Sequence, residues 1–240
     1  TLNSVFASGR ALPPGIRVTP RLQRRLRRAV GPRWAMLPQT FAFFDPLFST
    51  GIAWSLLGVE RLVDVLTGAE IVPSRLERYG ELLSAEADQQ QALVAAAYAA
   101  RRDMSIFRDL SFLYFACVSF EEIRQRLLDV GDDSAEAPPA WRGFLGAGDA
   151  AWAALFQEAY SRVRNVLAVG SHEARQHFAQ WVVDGIRARN LVGLGEAPTH
   201  LYGVDLDMLV ERSARLGLTA PELSRRLPRL RGPEAVKEVE

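Results

Sequence analysis

The stretch WAMLPQTFAFFDPLFSTGIAWSLLGVERL, residues 34–62, decides how the rest of the chain is read. Two short apolar runs, Trp34 to Leu37 and Phe41 to Phe44, are punctuated by Pro38 and read as strand material. Asp45-Pro46 then opens a tight turn of small residues through Ser49, Thr50 and Gly51. From Gly51 the pattern is helical: Ile52, Leu56, Val59, Val63 and Leu66 hold i, i+4, i+7, i+11 and i+14 spacing, and Gly68 makes a C-cap. Thr50 is placed to cap this helix, and Gly51 lets a ligand come close to the backbone.

Upstream lies a basic segment. Residues 1–33 carry eight arginines and no acid, leaving 21 of the 29 basic residues and all 28 acidic ones to the remainder. In RLQRRLRRAV, Leu22, Leu26 and Val30 recur every four positions, which predicts a helix packed by a narrow stripe with a solvated basic face. Near-neutral net charge and the lack of interleaved aromatics argue against a nucleic-acid arm. Lys237 is the chain's single lysine, so arginine preference is general and not local to a phosphate site.

Downstream the chain reads as helix after helix. Ser74 and Glu77 form a capping box opening a helix towards Arg102, and a second long helix covers about 106–128 with the aromatics Phe112, Tyr114, Phe115 and Phe120. Residues 131–140 are a polar, proline-bearing loop. Helices near 149–168 and 172–190, a loop at 193–203, a capping box at Thr219 and Glu222, and a polar tail complete the chain. Strands followed by helices, without βαβ alternation, make this mainly α with a small β portion, whose sheet partners are expected outside the chain.

Most chemistry is excluded by spacing. His172 and His177 stand five apart, about 140° round a helix, so they cannot share a metal on one face, and His200 is alone; no metal site is expected. No G-x-S-x-G elbow and no glycine-rich phosphate loop is present. Cys117 sits in FLYFACVSF and reads as a buried, inert thiol. No apolar run reaches the ~18–20 residues of a membrane span. No secretory leader precedes the basic segment, so a cytoplasmic protein is expected, and the opening at Thr1 reads as the start of an internal piece of a longer chain. No catalytic side chain is identified.

The turn at residues 45–52 remains. The unpaired amides of its helix, together with the helix dipole, favour negative charge in front of them, beside an apolar wall. A flat ring with a negative edge, such as a reduced flavin at N1–C2=O, suits that place. The whole 34–62 stretch resembles the flavin-binding C-terminal motif of FAD-dependent halogenases (the tryptophan-halogenase-like family) and of related flavoprotein monooxygenases. The match is specific over residues 10–67 and holds at the level of pattern over 75–215.

That resemblance implies the C-terminal part of an FAD-binding α/β monooxygenase-type fold over residues 1–70, followed by an appended helical domain over 71–240. It implies FAD as cofactor, held by Asp45, Pro46, Ser49, Thr50, Gly51 and Ile52, with Thr50 and Gly51 beside any halide. The dinucleotide-binding G-x-G-x-x-G, the tryptophan signature and the lysine of this family would lie upstream of Thr1. The implied reaction is halogenation or hydroxylation of a small aromatic or carrier-tethered substrate through a flavin C4a-hydroperoxide, with a separate flavin reductase as partner. Phe48 stands where halogenases of free tryptophan carry a glutamate, which argues against that substrate. The competing expectation is a cofactor-free helical interaction module using the arginine-rich helix or the aromatic 112–120 face.

Overall fold

The arginine-rich segment is extended chain, not helix. In the computed structural model, which describes residues 22–67, 72–128, 141, 143–196 and 205–230, β1 (Arg24–Arg25) pairs antiparallel with β4 (Ala42–Phe43). A second antiparallel pair, β2 (Val30–Gly31) with β3 (Trp34–Ala35), closes around Pro32 and Arg33. Between them Pro38–Phe41 makes one helical turn, α1, while the two runs predicted as strand, 34–37 and 41–44, contain β3 and β4. The arginine side chains are what favour the extended form. Arg24 Nη2 donates to the Gln39 carbonyl at 2.7 Å, and Arg25 Nη1 meets Asp88 Oδ1 at 2.5 Å. Their guanidinium groups also lie over the Phe43 and Phe41 rings. Leu22 is 58% exposed and Leu26 is exposed too, so of the predicted stripe Val30 alone packs on the core.

The helices follow in the predicted order, with one short helix, Leu206–Glu211, that is not predicted. They are α2 (Thr50–Leu66), α3 (Pro73–Ala100), α4 (Met104–Leu128), α5 (Ala150–Val169), α6 (His172–Ile186), α7 (Leu206–Glu211) and α8 (Ala220–Arg226). Asp149 caps α5 through the amides of Ala151 and Trp152, and Gly170 ends it at φ +67°. Ser171 caps α6, and Thr219 with Glu222 forms the predicted capping box of α8. The capping box predicted at Ser74 does not form. Pro73 occupies the first helical position, leaving Val72 at the cap with no side-chain bond. Arg10, Arg17, Arg21, Gly68, the loop at 131–140, His200 and the tail from 231 lie outside the described residues.

Helix α2 is turned the other way round from its sequence reading. Its predicted inner stripe faces out: Ile52 is 78% exposed and Leu56 65%, with Val59, Val63 and Leu66 also exposed. The buried face carries Thr50, Trp54, Gly58, Arg61 and Val65. Arg61 is the deciding residue. Its Nη1 donates to Glu86 Oε1 at 2.7 Å, with both side chains almost wholly buried. Glu86 Oε2 accepts from Trp54 Nε1 at 2.8 Å, and Oε1 also accepts the Phe144 amide at 2.6 Å. Burial pushes the Glu86 carboxyl upwards in pKa, while Arg61, the Phe144 amide and Trp54 pull against it. One turn on, Gln89 Nε2 donates to the Leu145 carbonyl at 2.6 Å. Side chains one turn apart on α3 thus hold both α2 and the 3-10 turn Phe144–Gly146.

Around this polar centre the apolar core is continuous. α3 packs chiefly on α5 and α4 on α6, with Tyr79, Leu83, Leu93, Ile106, Leu113, Trp152, Phe156 and Phe178 buried. Cys117 is buried as expected, which raises its thiol pKa well above the ordinary value. Asp103 ties the start of α4 to α6: it accepts from the Ser105 hydroxyl and the Ile106 amide, and its Oδ2 meets Arg175 Nε at 2.7 Å. No helix among the described residues is long and apolar enough to cross a membrane.

Two outcomes are expected. Glu86→Ala strips the buried Arg61, Trp54 and Phe144 donors of their acceptor and should cost about 3–5 kcal/mol, read as a fall in the urea midpoint at unchanged slope. Asp103 is the pH-dependent contact. The Ser105 hydroxyl, then Arg175 and the Ile106 amide, hold its pKa at about 2 against an ordinary 3.8. Its contribution is therefore complete above pH 3.8 and lost as pH falls towards 2. The stability difference between wild type and Asp103→Asn, about 1 kcal/mol at neutral pH, should vanish across that window in thermal melts.

Candidate active site

The turn before α2 is where local sequence and backbone geometry disagree most. Phe48 stands at φ +66° and Ser49 at φ +52°, two successive non-glycine residues in the left-handed region. Each costs on the order of 1–2 kcal/mol, so the surroundings must hold them there. Asp45 does part of this: Oδ1 accepts the Leu47 amide at 2.9 Å and Oδ2 accepts the Tyr98 hydroxyl at 2.5 Å. That bond raises the pKa of the Tyr98 phenol. The Tyr114 hydroxyl donates to the Phe48 carbonyl at 3.0 Å. The Phe48 ring stacks against Phe107, with centroids 6.1 Å apart, and lies 4.6 Å from the Tyr114 ring. Helices α3 and α4 therefore clamp the turn from behind.

The six residues predicted to face a ligand separate into two groups. Pro46, Ser49 and Ile52 are exposed and Gly51 is half-buried, forming one accessible surface at the start of α2. Asp45 and Thr50 point elsewhere. Both carboxylate oxygens of Asp45 are engaged as described, and the buried Thr50 hydroxyl donates to Gln90 Oε1 at 3.2 Å. Thr50 is thus the first residue inside the helix and does not cap it. Ser49 holds the cap position, but with no side-chain hydrogen bond. The first-turn amides of α2 are consequently left to an acceptor from outside. A Cβ on Gly51 would stand 2.6 Å from Gln39 Nε2, so that amide covers the glycine and is the movable part of the surface.

Tyr98, Tyr114, Gln90 and Gln39 serve this turn, and the sequence reading missed all four. Tyr114 belongs to the aromatic cluster, but nothing local marks a bond reaching back 66 positions. Gln90 sits in the run Gln89-Gln90-Gln91, a polar block that reads as solvent-facing; two of its three residues are buried. Its Nε2 has no hydrogen-bond partner. The two segments named for an interaction module differ from their expected form, although residues 22–28 are exposed. The arginine segment is not helical, and of the aromatics at 112–120, Tyr114 and Phe120 are buried and Phe112 and Phe115 half-buried. His177 lies against Glu173 at 4.0 Å, exposed, and no group of three metal-donor side chains occurs among the described residues.

No protein-family model matches the chain, and no curated protein matches it. Four solved chains do match, among them the halogenase PltM, with a TM-score of 0.54 at 20% identity over 71% of this chain. The chain spans 36% of that protein's length. The likeness is one of fold: the chain is mainly helical, consistent with a partial halogenase-like fold.

The backbone strain has a direct test. Ser49→Gly, which accepts φ +52° freely, should keep or slightly raise thermal stability, whereas Ser49→Val should lower it by about 1–2 kcal/mol. Equal melting of the two variants would show that the turn is not held in this conformation in solution.

Proposed function

We propose that this chain is the C-terminal part of an FAD-dependent oxidoreductase of the halogenase or monooxygenase type, acting on a small aromatic or carrier-tethered substrate. The observation that carries the proposal is the uncapped start of α2. Strained backbone delivers the chain to free amides, a glycine and an exposed apolar residue, with no side chain competing for the amides. The likeness of fold to a halogenase supports it. Pro46, Ser49 and Ile52 would lie against the flavin, and the amides of Gly51 and Ile52 would face its negative pyrimidine edge, with Thr50 and Gly51 beside any halide. Bound flavin supplies the oxygen chemistry; these residues orient the ring, stabilise its charge and exclude water. Asp45 and Thr50 act from behind, holding the turn.

The outward row of α2 fits the same reading. Ile52, Leu56, Val59, Val63 and Leu66 form an aliphatic face that runs from the turn to a cleft of about 880 Å³ between the β2–β3 hairpin and the ends of α2 and α3. A dinucleotide-binding portion covering the flavin would also cover this face. The division at about residue 70, a cytoplasmic location and a separate flavin reductase belong to the same proposal.

Gly51→Val is the test. Gln39 can swing aside, so the fold should survive, but the valine branches would fill the place of the ring. The full-length gene product should purify yellow and the variant colourless, with unchanged circular dichroism. Normal flavin absorbance in Gly51→Val would place the flavin elsewhere, and a colourless wild type that takes up no added FAD would favour a cofactor-free module.

A further inference from the structure

Four elements of the helical body meet around a second cavity, of about 430 Å³. Phe120 and Arg124 come from α4, Asp149 from the cap of α5, Arg189 from the 3-10 turn after α6, and Arg215 and Gly217 from the turn before α8. Three guanidinium groups thus face one carboxylate. That carboxylate is already committed: Asp149 Oδ2 meets Arg189 Nη2 at 2.8 Å, while Oδ1 caps α5. Arg189 is fixed further by lying over the Trp152 and Phe120 rings, at 5.4 and 6.0 Å from their centroids.

Arg124 and Arg215 are different. Neither has a carboxylate within ion-pair distance among the described residues. Arg215 Nη1 donates to the Asn190 carbonyl, a neutral acceptor that it shares with Arg212 Nη1 at 2.8 Å. Arg212 has its own counter-charge, Glu196 Oε2 at 2.5 Å. Arg215 is thus pressed beside another cation, half-buried; burial first, then Arg212, lowers its pKa, while Glu196, the ion-pair partner of Arg212, pulls the other way. Gly217, at φ +72°, presents no side chain, and the space a Cβ would take is open.

Two guanidinium groups with no ion-pair partner among the described residues, lining one open cavity, are complementary to a tetrahedral oxyanion. The cavity has room for such an anion with a small group attached. We propose that this cavity is a binding site for a phosphate group, held by Arg124 and Arg215 with Arg189 fixed beside them. The site is independent of the flavin reading, since none of these residues touches the turn at 45–52.

Isothermal titration of the chain at low ionic strength, with inorganic phosphate, phenyl phosphate and benzoate, tests it. Phosphate should bind, and Arg124→Gln and Arg215→Ala should each weaken binding about tenfold or more. Arg164→Gln, whose guanidinium lies over Tyr160 on α5, should bind as wild type does. Arg215 also holds the Asn190 carbonyl, so Arg124→Gln, which breaks no hydrogen bond between elements, is the decisive variant if Arg215→Ala unfolds. Tighter binding of phenyl phosphate than of inorganic phosphate would assign the site to a phosphomonoester, and the reverse to the free ion. No binding at millimolar phosphate, wild-type affinity in Arg124→Gln, or benzoate binding as tightly as phenyl phosphate would overturn the proposal.

Discussion

A carboxylate with no exposure to solvent sets the geometry of this chain. Glu86 on α3 takes hydrogen bonds from Trp54 and Arg61 on α2 and from the backbone at Phe144. Burying a charge is costly unless it is paired and its lone pairs are filled, and here three donors fill them. Apolar packing could seat α2 on α3 in several rotations, because both of its long faces carry large apolar residues. The ion pair admits one. With that rotation fixed, Thr50 falls inside, Ile52 falls outside, and the start of α2 points where the turn at 45–49 must deliver the chain.

The turn is then held from two sides. In front of it the covalent chain has to enter α2 at an angle that places Phe48 and Ser49 in left-handed backbone. Behind it, Tyr98, Tyr114 and the Phe107 ring supply the contacts that make this conformation the stable one. Strain of this kind is concentrated where a protein needs backbone groups presented rather than buried. The helical body does more than follow the turn at 45–52; it is the clamp that keeps the turn in shape.

The long helices were legible because their signals are local. Asp149, Ser171 and Thr219 are caps whose partners lie within three residues, and the box predicted at Thr219 and Glu222 forms. Apart from the capping box displaced by Pro73, the failures share one cause, a pattern that fits two structures. Leu22, Leu26 and Val30 recur every four residues, which is close to a helical turn and also a whole number of strand repeats, and the chain takes the second. In α2 the spacing correctly announced a helix, but Trp54, Gly58, Arg61 and Val65 obey the same spacing on the opposite side. Only Glu86, 25 positions on, says which side is inside, and its own surroundings read as a solvated helix. For the candidate site, Asp45 to Ile52 could be picked out from the residues alone. Tyr98, Tyr114 and Gln90 could not, since their part depends on contacts 40 to 66 positions away in sequence.

Helix α2 also sorts the demands made on its sequence by face. Along Thr50, Trp54, Gly58, Arg61 and Val65 almost any exchange meets Glu86, Gln90 or the core, and would register as lost folding. Along Ile52, Leu56, Val59, Val63 and Leu66 an exchange to glutamine or lysine meets mostly solvent among the described residues. A mutational scan selecting for folding alone would draw α2 as a half-constrained helix. The same scan selecting for activity in the whole protein would measure, residue by residue, what the outward half is for.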